Sequence, residues 1–492
     1  MNRFHYSDHF RRMAIILVSA LALMLFSGCT VGPDYRRPEA GHIPEAYVGP
    51  GKDWKIAAPR AHVPKDNWWE IYEDAELNQL VAEAMTANQD LKMAVARFAQ
   101  ARAVANVAES ALFPRLGFSA VQVDQRDSKH RPVGGKPDQT YDTLTVPFDF
   151  SYEIDIWGRV KRSVEAATAQ AQASADDVES IKLSLQAEVA ANYIMLRTLD
   201  ADKALLLFSI DVYRKSLELV RNRRAGGMVS DLDVAQAETV LKNALAQVPD
   251  IAVQRIKYQN ALAVLTGKTA SLFQIPERPL YLTPMVIPAD VPSELLERRP
   301  DIAAAERRMA AANANIGVAT AAFFPTVKLS GMAGFQSGGL DMLFDWPSNF
   351  WAVGPSLTVP LFQGGQLNAT LAQTQAVYEE TVAKYRQTVL TAFAEVENNL
   401  SAEQLLADEY QKVQDALQSV RRQLQIADNR YRAGLATYLE VAAAQNAALG
   451  IERTGVRLRG LQQVSVAALI KSLGGGWHCF SSMRNEFSES LN

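Results

Sequence analysis

The sequence predicts a mostly α-helical protein with a small β part, built from two copies of one unit. Three observations carry this. Residues 159–225 hold no Gly or Pro over 67 positions, and residues 366–433 hold none over 68. Short segments between the helical stretches alternate apolar and polar residues with period two. The chain also matches itself at an offset of nearly half its 492 residues.

The self-match comes in two blocks. At an offset of 211, Asp90-Leu91 faces Asp301-Ile302, Arg97 faces Arg308, and Phe113-Pro114 faces Phe324-Pro325; eleven of the 25 pairs from 90/301 to 114/325 are identical. At an offset of 207, Asn222-Arg223 matches Asn429-Arg430, Gly227 matches Gly434, and Leu232-Asp233-Val234-Ala235 matches Leu439-Glu440-Val441-Ala442. So long a period indicates duplication, since solenoid repeats run to ~20–50 residues.

The two breaker-free stretches are rich in Ala, Gln, Glu, Lys and Leu, all good helix formers. As helices they would each reach ~100 Å, far beyond an ordinary globular helix, so they read as coiled-coil-like rods. Arg221, Arg223 and Arg224, and likewise Arg430 and Arg432, end the rods just before glycine. Positive charge at a helix C-terminus accounts for them.

Between the helices the period changes. From Thr143 to Ile154, Leu144, Val146, Phe148, Phe150, Tyr152 and Ile154 share one side. Trp351, Val353, Leu357, Val359 and Leu361 repeat the pattern; Val327-Lys328-Leu329-Ser330 opens a third strand and Leu116-Gly117-Phe118 a weaker fourth. Pro147 and Pro355 fall inside two strands and predict bends or a bulge. Hairpin loops are expected at about 124–139 and 336–349. Strands of this length suit a tilted membrane crossing. Four of them cannot close a barrel, because the smallest membrane barrels need ~8. An open sheet edge in lipid costs several kcal/mol per unsatisfied group. Membrane strands here therefore require several chains to complete one barrel. The alternative is a small soluble sheet on a helical bundle.

Charge and cysteines bound the rest. A formal net charge of −4 without a basic, aromatic-interleaved stripe argues against nucleic acid. Arg11 and Arg12 precede an apolar run from Met13 to Phe26, too short to span a bilayer but fitting a secretory signal. It ends Leu25-Phe26-Ser27-Gly28-Cys29, which resembles a bacterial lipobox, with Phe26 where Leu is usual. Cys29 would then be lipidated and become the mature N-terminus; the alternative is a plain signal peptide with an incidental cysteine. Thr30, rather than Asp, favours the outer membrane. The only other cysteine is Cys479, so no intrachain disulfide is expected. Beyond residue 28 no long apolar segment recurs, leaving β-strands for any further crossing.

Taken in order, several motifs resemble the lipoprotein (NodT-like) branch of the TolC/OprM-type outer-membrane factors. They are Cys29-Thr30-Val31-Gly32-Pro33-Asp34-Tyr35, Trp68-Trp69, Asp155-Ile156-Trp157-Gly158-Arg159, Arg298-Arg299-Pro300-Asp301-Ile302, Pro360-Leu361-Phe362 with Gly364-Gly365, and Leu473-Gly474-Gly475-Gly476-Trp477. The resemblance implies a homotrimer with a 12-stranded outer-membrane β-barrel continued by a periplasmic α-helical barrel. It implies a passive exit duct for drugs or toxic compounds, partnered by a periplasmic adaptor and an inner-membrane pump in a Gram-negative bacterium. The chain then divides into a signal peptide (1–28), a lipid-anchored segment wrapping the equatorial region (29–73), a first repeat (74–267), a linker (268–284), a second repeat (285–473) and a tail (474–492).

The resemblance also places a periplasmic gate just past Gly434. Leu439 falls where OprM-like members carry an apolar ring, and Glu440 where TolC carries a carboxylate. A threefold ring of Glu440 would favour cations. Tyr431 and Asp233 match an interhelix hydrogen-bonding pair of the closed state. Ala443 stands where members often have Asp, and Ala436 where TolC has a locking Arg. Read from spacing alone, Leu439 is coiled-coil core and Glu440 a solvated face.

Nothing points to an enzyme, a metal or a cofactor beyond the lipid on Cys29. His42, His62, His130 and His478 are scattered without ligand spacing. Gly134-Gly135-Lys136 lacks the earlier Gly and following Ser/Thr of a phosphate loop. Ser337 lacks the Gly two residues before it that a nucleophile elbow requires. Two further readings remain open: a protein-secretion duct of the same fold, and a non-conducting periplasmic coiled-coil spacer, for which amphipathic strands serve no purpose.

Overall fold

The computed structural model describes residues 30–38, 67–126, 128, 130, 140–279 and 299–475. The signal segment, Cys29 and the tail from residue 476 lie outside the described residues, as does the linker beyond residue 279. In order, the elements are α1 (Ala75–Ala87), α2 (Gln89–Ser110), β1 (Arg115–Phe118), β2 (Val121–Arg126), β3 (Thr140–Ile154), α3 (Arg159–Ala225), α4 (Asp231–Leu265), α5 (Pro300–Ala321), β4 (Thr326–Ser337), β5 (Asn349–Thr358), α6 (Gln366–Arg432) and α7 (Tyr438–Ser472). Helices pair off in length: α2 and α5 have 22 residues each, α3 and α6 have 67, and α4 and α7 have 35.

Both rods stop by the same chemistry. Past α3, Met228 N–H donates to the Arg223 carbonyl at 2.9 Å and Gly227 N–H to that of Arg224 at 2.9 Å. Past α6, Leu435 N–H donates to Arg430 at 2.9 Å and Gly434 N–H to Tyr431 at 3.0 Å. Each motif needs one left-handed residue, supplied by Gly227 at φ +73° and Gly434 at φ +76°.

The chain forms two compact units. The first comprises Met1–Glu39, Arg97–Ser174 and Ala305–Tyr385, and holds the sheet. β1 and β2 pair in turn with β3, then β3 with β4 and β4 with β5, all antiparallel. β1 and β2 share one register against β3, so they are one strand interrupted at residues 119–120. The interruption lies opposite Pro147, whose nitrogen has no proton to donate. The bend expected at Pro147 thus appears as a break in its neighbour, while β3 stays in register with β4, Pro147 facing Gly334. A Cβ on Gly334 would lie 2.2 Å from the Val146 carbonyl oxygen.

Strand ends correct the sequence reading. Polar residues extend the ladders through Arg126, from Thr140 and through Ser337, so the connections shrink to 127–139 and 338–348. β5 closes at Thr358, short of the expected Leu361, since Pro360 cannot continue the pairing.

The second unit comprises Ala40–Ala96, Ala175–Ala304 and Arg386–Asn492. Its core takes Leu206, Ile210, Tyr213, Leu217 and Val220 from α3, at alternating steps of four and three. That is the spacing of a coiled-coil seam. Ala237, Val240, Ala244 and Ile251 of α4 pack into it, with Ala427 and Tyr431 of α6 and Tyr438, Val441, Ala444 and Leu449 of α7. Close approach is built in at Gly460, where a Cβ would lie 2.2 Å from the Thr198 hydroxyl. Buried Asp200 accepts from Arg197 Nη1 at 2.8 Å and Arg255 Nε at 2.6 Å. The same arginines donate to the Pro276 and Ile275 carbonyls at 2.7 Å, fixing the start of the linker.

Candidate channel surfaces and gate

In the first unit, the register sorts the sheet into two chemically distinct faces. One carries the rows Leu116–Phe150–Gly331–Val353, Phe118–Phe148–Ala333–Trp351, Tyr152–Leu329–Pro355 and Ile154–Val327–Leu357. The other carries Gly117–Asp149–Met332–Ala352, Arg115–Ser151–Ser330–Gly354 and Glu153–Lys328–Ser356. Leu116, Phe118, Phe148, Trp351, Val353 and Leu357 are all exposed in the single chain. The two outermost strands, β1–β2 and β5, have no strand partner on their outer sides among the described residues. Over these rows the sheet is apolar on one face and polar on the other, while β2 reverses the pattern, with Val121 and Val123 on the polar side and Gln122 and Asp124 on the apolar side. Such a sheet, open at both edges among the described residues, is suited to lipid on one side and water on the other once its edges are paired.

The junction motif Asp155-Ile156-Trp157-Gly158-Arg159 turns β3 into α3. Arg159 grips Glu153 through both carboxylate oxygens at 2.8 and 2.9 Å. Asp155 accepts the Lys161 N–H at 2.8 Å at the helix start. Trp157 stacks on Phe324 at 4.7 Å and donates to the Pro325 carbonyl at 2.8 Å. Residues 30–38 lie against this region. Val31 N–H donates to the Trp157 carbonyl at 3.1 Å, and Arg162 binds Asp34 at 2.7 Å. Arg37 reaches the Tyr385 hydroxyl at 3.0 Å. The chain immediately after Cys29 is therefore strapped to the base of the sheet.

In the second unit, the tips of the rods gather the predicted gate residues. At the start of α4, Ser230 and Asp233 form a reciprocal capping box, with Asp233 Oδ2 accepting the Ser230 N–H at 2.9 Å and its hydroxyl at 2.7 Å. Asp233 Oδ1 accepts the Tyr438 N–H at 3.2 Å, tying the start of α4 to the start of α7. Partial burial works against the charged carboxylate, yet these hydrogen bonds outweigh it and hold Asp233 below the usual Asp range.

In the single chain the partners of the Asp233 oxygens are Ser230 and Tyr438, and the expected hydrogen bond to Tyr431 is not among them. Tyr431 is 3% exposed, and its buried hydroxyl makes no regular hydrogen bond among the described residues, although the Arg223 guanidinium lies beside it. Burial pushes its pKa upward; nearby Arg223 opposes the rise and Asp233 adds to it. What engages Tyr431 is Arg223, 5.0 Å above its ring, with Tyr438 edge-on at 5.4 Å. Arg223 also donates to the Tyr431 and Arg432 carbonyls at 2.8 and 2.7 Å.

Leu439 and Glu440 both stand out from the tip. Leu439 is 58% exposed, unlike the core residue that spacing alone suggests. Glu440 occupies the third helical position of α7, as Asp233 does in α4, but Thr437 makes no side-chain cap. Glu440 instead meets Arg430 at 3.3 Å, and both side chains remain largely exposed. The duplication thus yields one carboxylate committed to structure and one presented to solvent.

Sequence reasoning missed Arg223, assigning it with its neighbours to charge at a helix end. Its match to Arg430 across the repeat, where each arginine sits three residues before its glycine pair or turn, was the available signal.

The family model described as outer membrane efflux protein matches residues 80–268 and 291–475. The toluene efflux pump outer membrane protein TtgF of Pseudomonas putida is 33% identical over 472 residues, covering 94% of this chain and 97% of that protein. Outer membrane protein OprJ of Pseudomonas aeruginosa is 32% identical over 466 residues, covering 94% and 96%. Among solved structures, the outer-membrane channel OprN superposes with a TM-score of 0.82 at 30% identity, covering 91% of this chain and 100% of that one. VceC of Vibrio cholerae gives 0.79 at 34% identity, covering 85% and 99%. The chain belongs to the outer membrane efflux protein family: it is an outer-membrane efflux channel and not an enzyme.

Proposed function

We propose that three copies of this chain form one passive duct, the exit of a tripartite pump. The observation that carries this is the open four-strand sheet, β1–β2 taken as one strand, with an apolar face over the rows of β1 and two edges that lack strand partners among the described residues. Three such sheets joined edge to edge give twelve strands, enough to close a barrel without leaving backbone groups unsatisfied in lipid. The polar face of each sheet then lines water. Mass measurement of the intact detergent-solubilised protein tests this: a trimer is expected, and a stable monomer contradicts it.

A lipid on Cys29 anchors the chain in the outer membrane. Support comes from the strap of residues 30–38, which brings the chain next to the β3–α3 junction, where an anchor at the membrane surface belongs. The second unit extends in the periplasm and meets an adaptor protein with its tip, below which an inner-membrane transporter supplies the energy. Exposed Met228, Leu232 and Leu435 around the two glycine turns give that tip apolar contact points.

Leu439 and Glu440 constrict the closed duct, Leu439 by desolvating the throat and Glu440 by a ring of negative charge. Tyr431 and Asp233 hold the closed arrangement through separate partners: Asp233 through Tyr438, and Tyr431 through Arg223. Relatives carry names as different as toluene efflux and pyoverdine export, which supports a duct that takes whatever its pump delivers.

A further inference from the structure

The connection between β4 and β5 places four large apolar side chains in solvent at alternate positions. Leu340, Met342, Phe344 and Trp346 are all exposed, while the loop itself is well tied. Leu343 is buried at 2% and serves as its anchor. Ser348 Oγ donates to the Met342 carbonyl at 2.7 Å, Ser348 N–H to Asp345 at 2.9 Å and Asp345 N–H to Met342 at 3.2 Å. The Asn349 amide closes back onto the Trp346 carbonyl. A water-facing loop held this firmly has no reason to display four such groups.

The loop also continues the apolar face of the sheet. Phe344 packs edge-on against Phe335 at 5.7 Å. Phe335 pairs across with Val146, on the same side of the sheet as Phe148, Phe150 and Trp351. Exposed Asp341 and Asp345 alternate with the apolar residues, so the loop has a charged side to leave in water. An amphipathic segment of this kind lies in an interface and does not cross it.

We infer that residues 338–348 form a lipid-contacting flap, with Leu340, Met342, Phe344 and Trp346 seated among the upper acyl chains of the outer leaflet. The flap extends the lipid contact of the barrel beyond its strands and fixes how deep the barrel sits. This rests on the sheet's apolar face being the membrane face.

The test uses the full chain in a Cys479→Ser background, reconstituted in phosphatidylcholine vesicles. Bimane is attached at Met342→Cys, at Trp346→Cys, or at Trp351→Cys on the strand face, each variant first checked for assembly on a native gel. Emission is read against phosphatidylcholine brominated high on its acyl chain and against aqueous iodide. The flap predicts that both loop labels lose most of their emission to the brominated lipid and little to iodide. Iodide quenching of the loop labels overturns it. Quenching by neither agent also overturns it, since the loop then packs on protein. If the label at position 351 also escapes the lipid, the membrane assignment of the sheet fails as well. If position 351 is quenched and the loop is not, only the flap fails.

Discussion

Arg223, at the end of one long helix, caps the end of the other by stacking on Tyr431 and hydrogen-bonding its carbonyl. The guanidinium lies 5.0 Å from the ring centroid and 2.8 Å from the carbonyl oxygen, with a second donor on Arg432 at 2.7 Å. The last carbonyls of a helix lack intrahelical partners and carry its negative dipole end, so a cation there is doubly favoured. Removing it should loosen α6 from α3 at the tip. Arg223→Ala is expected to lose about 2 kcal/mol of tip stability and to raise the conductance of the purified channel. Arg223→Lys should recover only part of this, because an ammonium cannot reproduce the flat stack and forked donors together. Equal conductance for all three proteins would remove Arg223 from the closed state.

Tyr431 separates ring from hydroxyl. Its buried hydroxyl makes no regular hydrogen bond among the described residues, while its ring is packed by Arg223 and Tyr438. Tyr431→Phe should be neutral or slightly stabilising in thermal unfolding, whereas Tyr431→Ala should cost about 3 kcal/mol. A large loss in the Phe variant would mean that the hydroxyl has a partner in the assembled channel.

Asp233 gives the tip an acid-sensitive contact. Its folded-state pKa is depressed, so its contribution is complete above the unfolded value of about 4 and is lost as pH falls through the folded value. The sign therefore predicts easier opening in acid. Conductance of the wild type should rise below about pH 4, and Asp233→Asn should be open already at neutral pH with a flatter profile over that range. An unchanged profile in Asp233→Asn would assign the acid response to other groups.

Gly334 tests the sheet. A Cβ there meets the Val146 carbonyl oxygen at 2.2 Å and the Pro147 Cα at 2.7 Å, both backbone atoms that cannot swing aside. If the chain assembles as proposed, Gly334→Val should sharply reduce the yield of assembled oligomer on semi-native gels, while Gly354→Ala, with open space at its Cβ, should not.

Most of the architecture was legible because it rests on periodicity and breakers. Gly158, Gly226 and Gly365 bound the rods to within a residue, and the alternation from Leu144 to Ile154 gave the apolar face of β3. Strand ends were not legible. Thr140, Asp142 and Arg126 are polar, and they join the ladder through backbone hydrogen bonds that composition does not report. At the tip, spacing already read Glu440 as solvent-facing, whereas exposed Leu439 came from family resemblance alone, since spacing favoured a buried position. Arg223 was hidden because its function depends on the distant ends of two helices meeting. The Ser230–Asp233 capping box is a local S-x-x-D pattern that was visible in the sequence and went unused there.

The central claim is that copies of this chain enclose a water-filled duct closed at the helical tip. Single-channel recording in planar bilayers tests it most directly, comparing the purified wild-type protein with the Leu439→Ala/Glu440→Ala double variant. The account predicts small, rare openings for the wild type and a several-fold larger, sustained current for the variant. A variant that assembles like the wild type yet passes no ion current would contradict it.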